Sequence, residues 1–224
     1  MKRPLKALLF DMDGTIVDNM SHHLASWEEL LSSRGCPIDL DDFFLRTSGR
    51  HSREILRDYL DASLSDDDCR ALDAEKTAIY QRRYAPALRA IAGFETFVVE
   101  ARSRGLSIGL CTAAPEANIR FVLDGLGIRR HFDTVVGAAD VPRGKPAPDV
   151  FLAAAERFDI DPAHCLVFED APLGVQAAAN AGMSAVAITT SLPPDAFSSC
   201  ANVIATAPDY LGKGLYELTG TGRL

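Results

Sequence analysis

Four carboxylic acids, a lysine and a threonine stand where short apolar runs end or the chain turns. The run at 7–10 closes on Asp11-Met12-Asp13-Gly14-Thr15, the run at 106–111 on Thr112, and the run at 164–168 on Glu169-Asp170. Lys145 follows Gly144 in a proline-rich loop between the last two. Carboxylates brought together at strand ends repel one another and shift to higher pKa unless a cation sits among them. Hard oxygen donors without His or Cys suit magnesium, which keeps several waters. Zinc is disfavoured, because His22 and His23 are adjacent and lack the helical spacing of a zinc pair. A carboxylate beside magnesium can attack phosphorus and form an aspartyl phosphate. In that chemistry Asp11 is the nucleophile, and Asp13, two residues on, protonates the leaving oxygen and then activates water. Lys145 pairs as a point charge with the carboxylate and the transferring group, and the Thr112 hydroxyl donates to a phosphoryl oxygen.

Elements must place these residues at one rim. The run at 7–10 is too short for a helix and reads as a buried parallel strand, as do 106–112, 134–136, 164–168, 184–188 and 202–205. Helical spacing fills 94–104, 115–126, 149–158 and 173–181, several closed by glycine. Strands alternating with helices predict an α/β fold, a doubly wound parallel sheet whose ligands bind beyond the carboxyl ends of the strands. Between 19 and 87 no strand pattern occurs. Helices are expected at 16–31, 39–45, 52–60 and 65–84, the last opened by Ser65 and three aspartates. The expected division is a core of 1–17 and 88–224 with an inserted helical cap of 18–87. Residues 219–224 read as a frayed end.

The chain has 224 residues, 47% hydrophobic and 24% charged, a length and balance that support a sizeable core. A net charge of −8 without a basic stripe argues against nucleic acid. Five scattered cysteines never fall in CxxC spacing, which suits free thiols in a reducing cytoplasm. No apolar run reaches membrane-spanning length, so no membrane partner is expected, and the expected state is a monomer or weak dimer. His51, His131 and His164 lack partner spacing and read as surface or strand-edge residues; Cys111 reads as a packed strand residue.

Together DMDGT, LCTAA, RGKPAPD and FEDAPLG resemble the four signature segments of the haloacid dehalogenase-like hydrolases. Within them the chain resembles the β-phosphoglucomutase-like branch, whose helical cap follows the first strand. The likeness spans essentially the whole chain. It implies a Rossmann-like core, a nucleophile at Asp11, an acid/base at Asp13, and phosphate contacts from Thr112, Ala113 and Lys145. It also implies magnesium held by Asp11, the Asp13 carbonyl and Asp170, with Glu169 close by. An acid at position 13 points to phosphate esters, since the true dehalogenases lack one there.

In the cap, His23 and Trp27 stand at i and i+4, matching a His-x-x-x-Trp pattern of sugar-phosphate members, and reach the same side of a helix. Gly49 and Arg50 lie where the family places its specificity loop, and Lys76 matches a cap lysine. Arg50, Arg53 and Lys76 are candidates to grip a second anionic group. One departure bears on activity: β-phosphoglucomutases of this type carry lysine before the loop glycine and arginine three residues after it. Here those positions hold Ser48 and Ser52, with arginines at 50 and 53. The expectation is a magnesium-dependent phosphatase for a small phosphorylated metabolite, a sugar phosphate. The alternatives are a phosphosugar mutase and a non-catalytic phosphate-binding protein on the same scaffold.

Overall fold

The computed structural model describes residues 4–220. Six strands, β1 (Ala7–Phe10), β2 (Ser107–Cys111), β3 (Thr134–Val136), β4 (Cys165–Glu169), β5 (Ser184–Ile188) and β6 (Val203–Ala207), form one parallel sheet in the order β3-β2-β1-β4-β5-β6. Around it run α5 (Phe94–Ser103), α6 (Glu116–Gly125), α7 (Asp149–Phe158), α8 (Pro172–Asn180) and α9 (Lys213–Leu218), after the helices α1 to α4 described below. β1 is central and pairs with β2 on one side and β4 on the other, with Phe10 level with Leu110 and Phe168. Strand order reverses direction beside β1, so a crevice opens beyond its carboxyl end.

Burial explains why β1 is apolar throughout. Leu8 and Phe10 face one core with Leu110, Phe168 and Phe97; Ala7 and Leu9 face the other with Val167, Phe151 and Val175. A strand covered on both sides has no polar face to show. Phe10 stacks on Phe168 with ring centroids 4.6 Å apart and meets Phe94 edge-on at 5.4 Å.

Between β1 and α5 lie four helices, α1 (Met20–Ser32), α2 (Leu40–Thr47), α3 (Ser52–Tyr59) and α4 (Asp66–Tyr84). They enclose a third core around Trp27, Leu30, Phe43 and Leu56. Ser65 and Asp68 make the reciprocal capping box that opens α4.

Several expectations are corrected. α1 begins at Met20, not at 16, because Ile16 and Val17 belong to a turn whose N–H groups donate to the Met12 carbonyl and whose side chains are fully buried. α9 was not foreseen from its short, weakly periodic segment. β4 runs one residue further, so Glu169 lies inside the strand. His51 and His131 are buried rather than superficial, and His131 Nε2 lies 2.9 Å from Glu95. Thr219 is buried and its hydroxyl donates to the Leu215 carbonyl, so the chain is ordered into 219; the remainder of the expected frayed end, 221–224, lies outside the described residues. Among the described residues no helix is long and apolar enough to cross a membrane.

Candidate active site

Asp11 is the first residue beyond β1, and its N–H donates to the Phe168 carbonyl at 3.0 Å, which ties it to the end of β4. Lys145, 2% exposed, arrives from the loop before α7. Its Nζ donates to Asp11 Oδ1 and to Glu169 Oε1, each at 2.5 Å, and reaches the Cys111 carbonyl at 3.3 Å. Those three contacts match the three protons of an ammonium. Burial opposes its charge, but the two carboxylates outweigh burial and hold Lys145 above the ordinary lysine range.

Carboxyl oxygens of Asp11, Glu169 and Asp170 lie within 4.8 Å of one another. One ammonium cannot balance three buried carboxylates. Burial pushes Asp11 up to about 8 against the pull of Lys145, with Glu169 and Asp13 adding to the rise. Asp170 is also raised, by burial and then by Glu169 and Asp11. An all-oxygen cluster with surplus negative charge fits a hard divalent cation. Glu169 is already engaged: its Oε2 accepts from the N–H groups of Asp170 at 2.9 Å and Ala171 at 3.1 Å. Asp170 accepts from the Ser191 hydroxyl. Two glycines make room for these acids. A Cβ on Gly14, whose φ is +77°, would overlap the Asp170 carboxylate, and a Cβ on Gly174 would overlap that of Glu169.

The Asp13 carboxylate stands outside this cluster. Its Oδ1 accepts from Asn19 Nδ2 at 2.6 Å and lies 3.2 Å from His23 Nε2. Burial works to raise the Asp13 pKa, yet His23 and Asn19 outweigh it and the net shift is downward. His23 is pressed against Tyr80, ring centroids 3.9 Å apart and nearly parallel, and its Nδ1 is 2.7 Å from Lys76 Nζ. With the ammonium donating to Nδ1, the ring proton sits on Nε2, the nitrogen nearer Asp13, although the two are not aligned for a hydrogen bond. Burial lowers the His23 pKa, with Lys76 adding to the effect, and burial brings Lys76 down to about 8.

A cavity above these acids is lined by Asp11, Asp13, Thr112, Ala113 and, from the helical segment, His23, Trp27, Gly49, Arg50 and Lys76. Thr112 Oγ accepts from the Ala114 N–H at 3.1 Å, leaving its own proton to give. Lys145 and Arg53 are placed away from the cavity, and Trp27 and Arg50 have other partners besides. Lys145 stands behind Asp11 and does not line the cavity. Trp27 is mainly a core residue, 5% exposed, with Lys76 Nζ 5.2 Å from its ring. Arg50 lines the cavity, but its guanidinium pairs with Asp58 at 2.7 Å and Glu54 at 3.7 Å. Arg53 turns away and donates to the Pro142 carbonyl. Asn19, Tyr80 and Ser191 escaped the sequence reading, since a single amide or hydroxyl carries no spacing signal. Asn19 precedes α1 and is of a type that caps helices, but its side chain does not cap.

A family profile described as haloacid dehalogenase-like hydrolase matches residues 5–182. The chain is 35% identical over 179 residues to the fructose-1-phosphate phosphatase YqaB of Escherichia coli (strain K12), covering 80% of this chain and 94% of that protein. It is 31% identical to the validoxylamine A 7'-phosphate phosphatase of Streptomyces hygroscopicus subsp. limoneus, covering 86% and 90%. The β-phosphoglucomutase structure from Clostridium difficile superposes with a TM-score of 0.81 at 25% identity, covering 96% of each chain. The profile, the two relatives and the strand-end acids agree, and the chain belongs to the haloacid dehalogenase-like hydrolases, in the branch that includes the β-phosphoglucomutases.

Proposed function

We propose that the protein is a magnesium-dependent phosphomonoesterase for a small phosphorylated metabolite, a sugar phosphate, working through phospho-Asp11. The observation that carries this reading is the buried Asp11 facing a cavity while Lys145 bridges it to Glu169 beside Asp170. A binding protein has no use for two carboxylates two residues apart, one held by an ammonium and the other by an imidazole and an amide.

The carboxylate of Asp11 attacks phosphorus as the ester bond breaks, and its electron pair passes to the leaving oxygen, which takes the Asp13 proton. Asp13 then removes a proton from water, the water oxygen bonds to phosphorus, and Asp11 is released with inorganic phosphate. Thr112 and the nearby backbone orient the phosphoryl oxygens. Asp11, Asp170 and the Asp13 carbonyl are the residues that would hold the metal, with Glu169 holding Lys145. Magnesium, if bound there, would supply positive charge to keep Asp11 ionised and to stabilise the phosphoryl oxygens. Such a charge would oppose the upward shift that Asp11 has among acids alone, and the negative charge of a bound ester would raise Asp13 toward the range an acid needs.

In this reading residues 18–87 are a cap that closes over a core of 1–17 and 88–224. The names of the two phosphatase relatives, for fructose 1-phosphate and validoxylamine A 7'-phosphate, support a phosphorylated sugar-like metabolite as substrate. The β-phosphoglucomutase neighbour supports a mutase as the second reading. Hydrolysis is favoured because Ser48 and Ser52 replace the mutase charges and the Arg50 guanidinium is already paired. Incubation with β-glucose 1-phosphate, a trace of the 1,6-bisphosphate and magnesium, beside a panel of phosphosugars, tests the choice. Free phosphate, abolished by chelation of the metal, is the expected product; glucose 6-phosphate identifies a mutase, and no turnover of any ester identifies a binding protein.

A further inference from the structure

Asn19 sits at the joint between the β1 loop and α1 and is completely buried. Both ends of its amide are engaged. Nδ2 donates to Asp13 Oδ1 at 2.6 Å and to Tyr80 Oη at 2.7 Å, and Oδ1 accepts from the Gly14 N–H at 3.2 Å. The orientation is forced, because only the NH2 end can face a carboxylate and only the carbonyl end can face an N–H. The side chain forgoes the helix cap that its position offers. Tyr80 comes from α4, far along the chain, and is itself buried against His23. Asn19 and His23 both approach Asp13 through Oδ1, so neither occupies Oδ2, and Asp13 lines the cavity.

We infer that Asn19 is a positioning residue that aims the Asp13 carboxyl at the leaving oxygen, and that the Tyr80 hydroxyl holds Asn19 in place. The inference rests on the acid role proposed for Asp13. Asn19 neither gives nor takes a proton: as the phosphorus–oxygen bond breaks, the electron pair goes to the leaving oxygen and the proton comes from Asp13 alone.

A positioning role for proton transfer separates from a purely structural one by leaving group. A sugar alkoxide must be protonated as it departs, whereas the phenolate of 4-nitrophenyl phosphate leaves without a proton. The experiment measures kcat/KM, which includes leaving-group departure, for glucose 6-phosphate and 4-nitrophenyl phosphate in wild type, Asn19→Ala and Tyr80→Phe. The sugar-to-aryl ratio of kcat/KM is expected to fall ~10–100-fold in Asn19→Ala, part of the ~10²–10⁴ that a general acid supplies. Tyr80→Phe, which removes one hydroxyl and keeps the ring on His23, is expected to lower the ratio less, in the same direction. An unchanged ratio in both variants, whether or not the two rates fall together, overturns the inference; a fall in Asn19→Ala alone overturns the part assigned to Tyr80. Failure of wild type to cleave these two esters or any of the phosphosugar panel instead refutes the proposed phosphatase.

Discussion

At the residue scale, charge balance in a dry site governs what each acid and base does. Asp11 and Glu169 share one ammonium with Asp170 close by, whereas Asp13 has an imidazole and an amide of its own; Asp11 and Asp170 are pushed up and Asp13 is drawn down. That Asp11, Glu169, Asp170 and Lys145 come together was legible in sequence, because a parallel sheet brings its strand ends and the loops beyond them to one rim. That Lys145 lies behind Asp11 was not, since its three contacts depend on where three separate strands end. Lys76 gives a test of this electrostatic picture. It is buried, and its pKa falls from 10.5 to about 8, so the folded protein binds fewer protons than the unfolded chain between those values. Stability therefore rises with pH across that window, and at pH 7 the buried charge costs roughly 3 kcal/mol. Lys76→Met is expected to be more stable than wild type at pH 7 in urea unfolding, with the advantage vanishing between pH 8 and 10.5. An advantage that persists above that window would contradict the assignment.

Among the elements, the sheet was largely readable and the joints were not. A strand buried on both faces must be apolar along its whole length, and β1 and β4 satisfy this with Leu8-Leu9-Phe10 and Leu166-Val167-Phe168. The segment 16–19 misled because its apolar spacing continues that of α1, while the chain there makes a turn stitched to Met12. Helical periodicity cannot distinguish residues facing a helix partner from residues inserted into a neighbouring core. The stacked pair Phe10 and Phe168 lies where β1 and β4 run level, one residue before Asp11 and Glu169, with Asp170 following. Phe168→Ala is expected to destabilise the protein by ~3–5 kcal/mol through the cavity it leaves, read as a lowered midpoint in denaturant. A loss below about 1 kcal/mol would show that the aromatic cluster relaxes to fill the space.

For the whole molecule, the helical segment meets the sheet at a seam that carries Lys145. The Lys145 N–H donates to the Gly49 carbonyl at 3.0 Å, and Arg53 reaches the Pro142 carbonyl. At Gly144 a Cβ would stand 2.6 Å from the His51 nitrogen, backbone that cannot move aside cheaply. Gly144→Ala is expected to push the segment off the loop and lower kcat/KM ~10–100-fold, the scale of a misplaced catalytic group, while the melting temperature changes little. An unaltered kcat/KM would mean that the seam is irrelevant to turnover. Every step proposed for the molecule passes through one bond, from Asp11 to phosphorus. Intact-mass and peptide-mass analyses of acid-quenched enzyme during turnover test it most directly: wild type should carry the mass of one phosphoryl group, on the peptide containing Asp11, and Asp11→Asn should fold, carry none and release no phosphate. A phosphoryl group on any other residue, or phosphate release by Asp11→Asn near the wild-type rate, would contradict it.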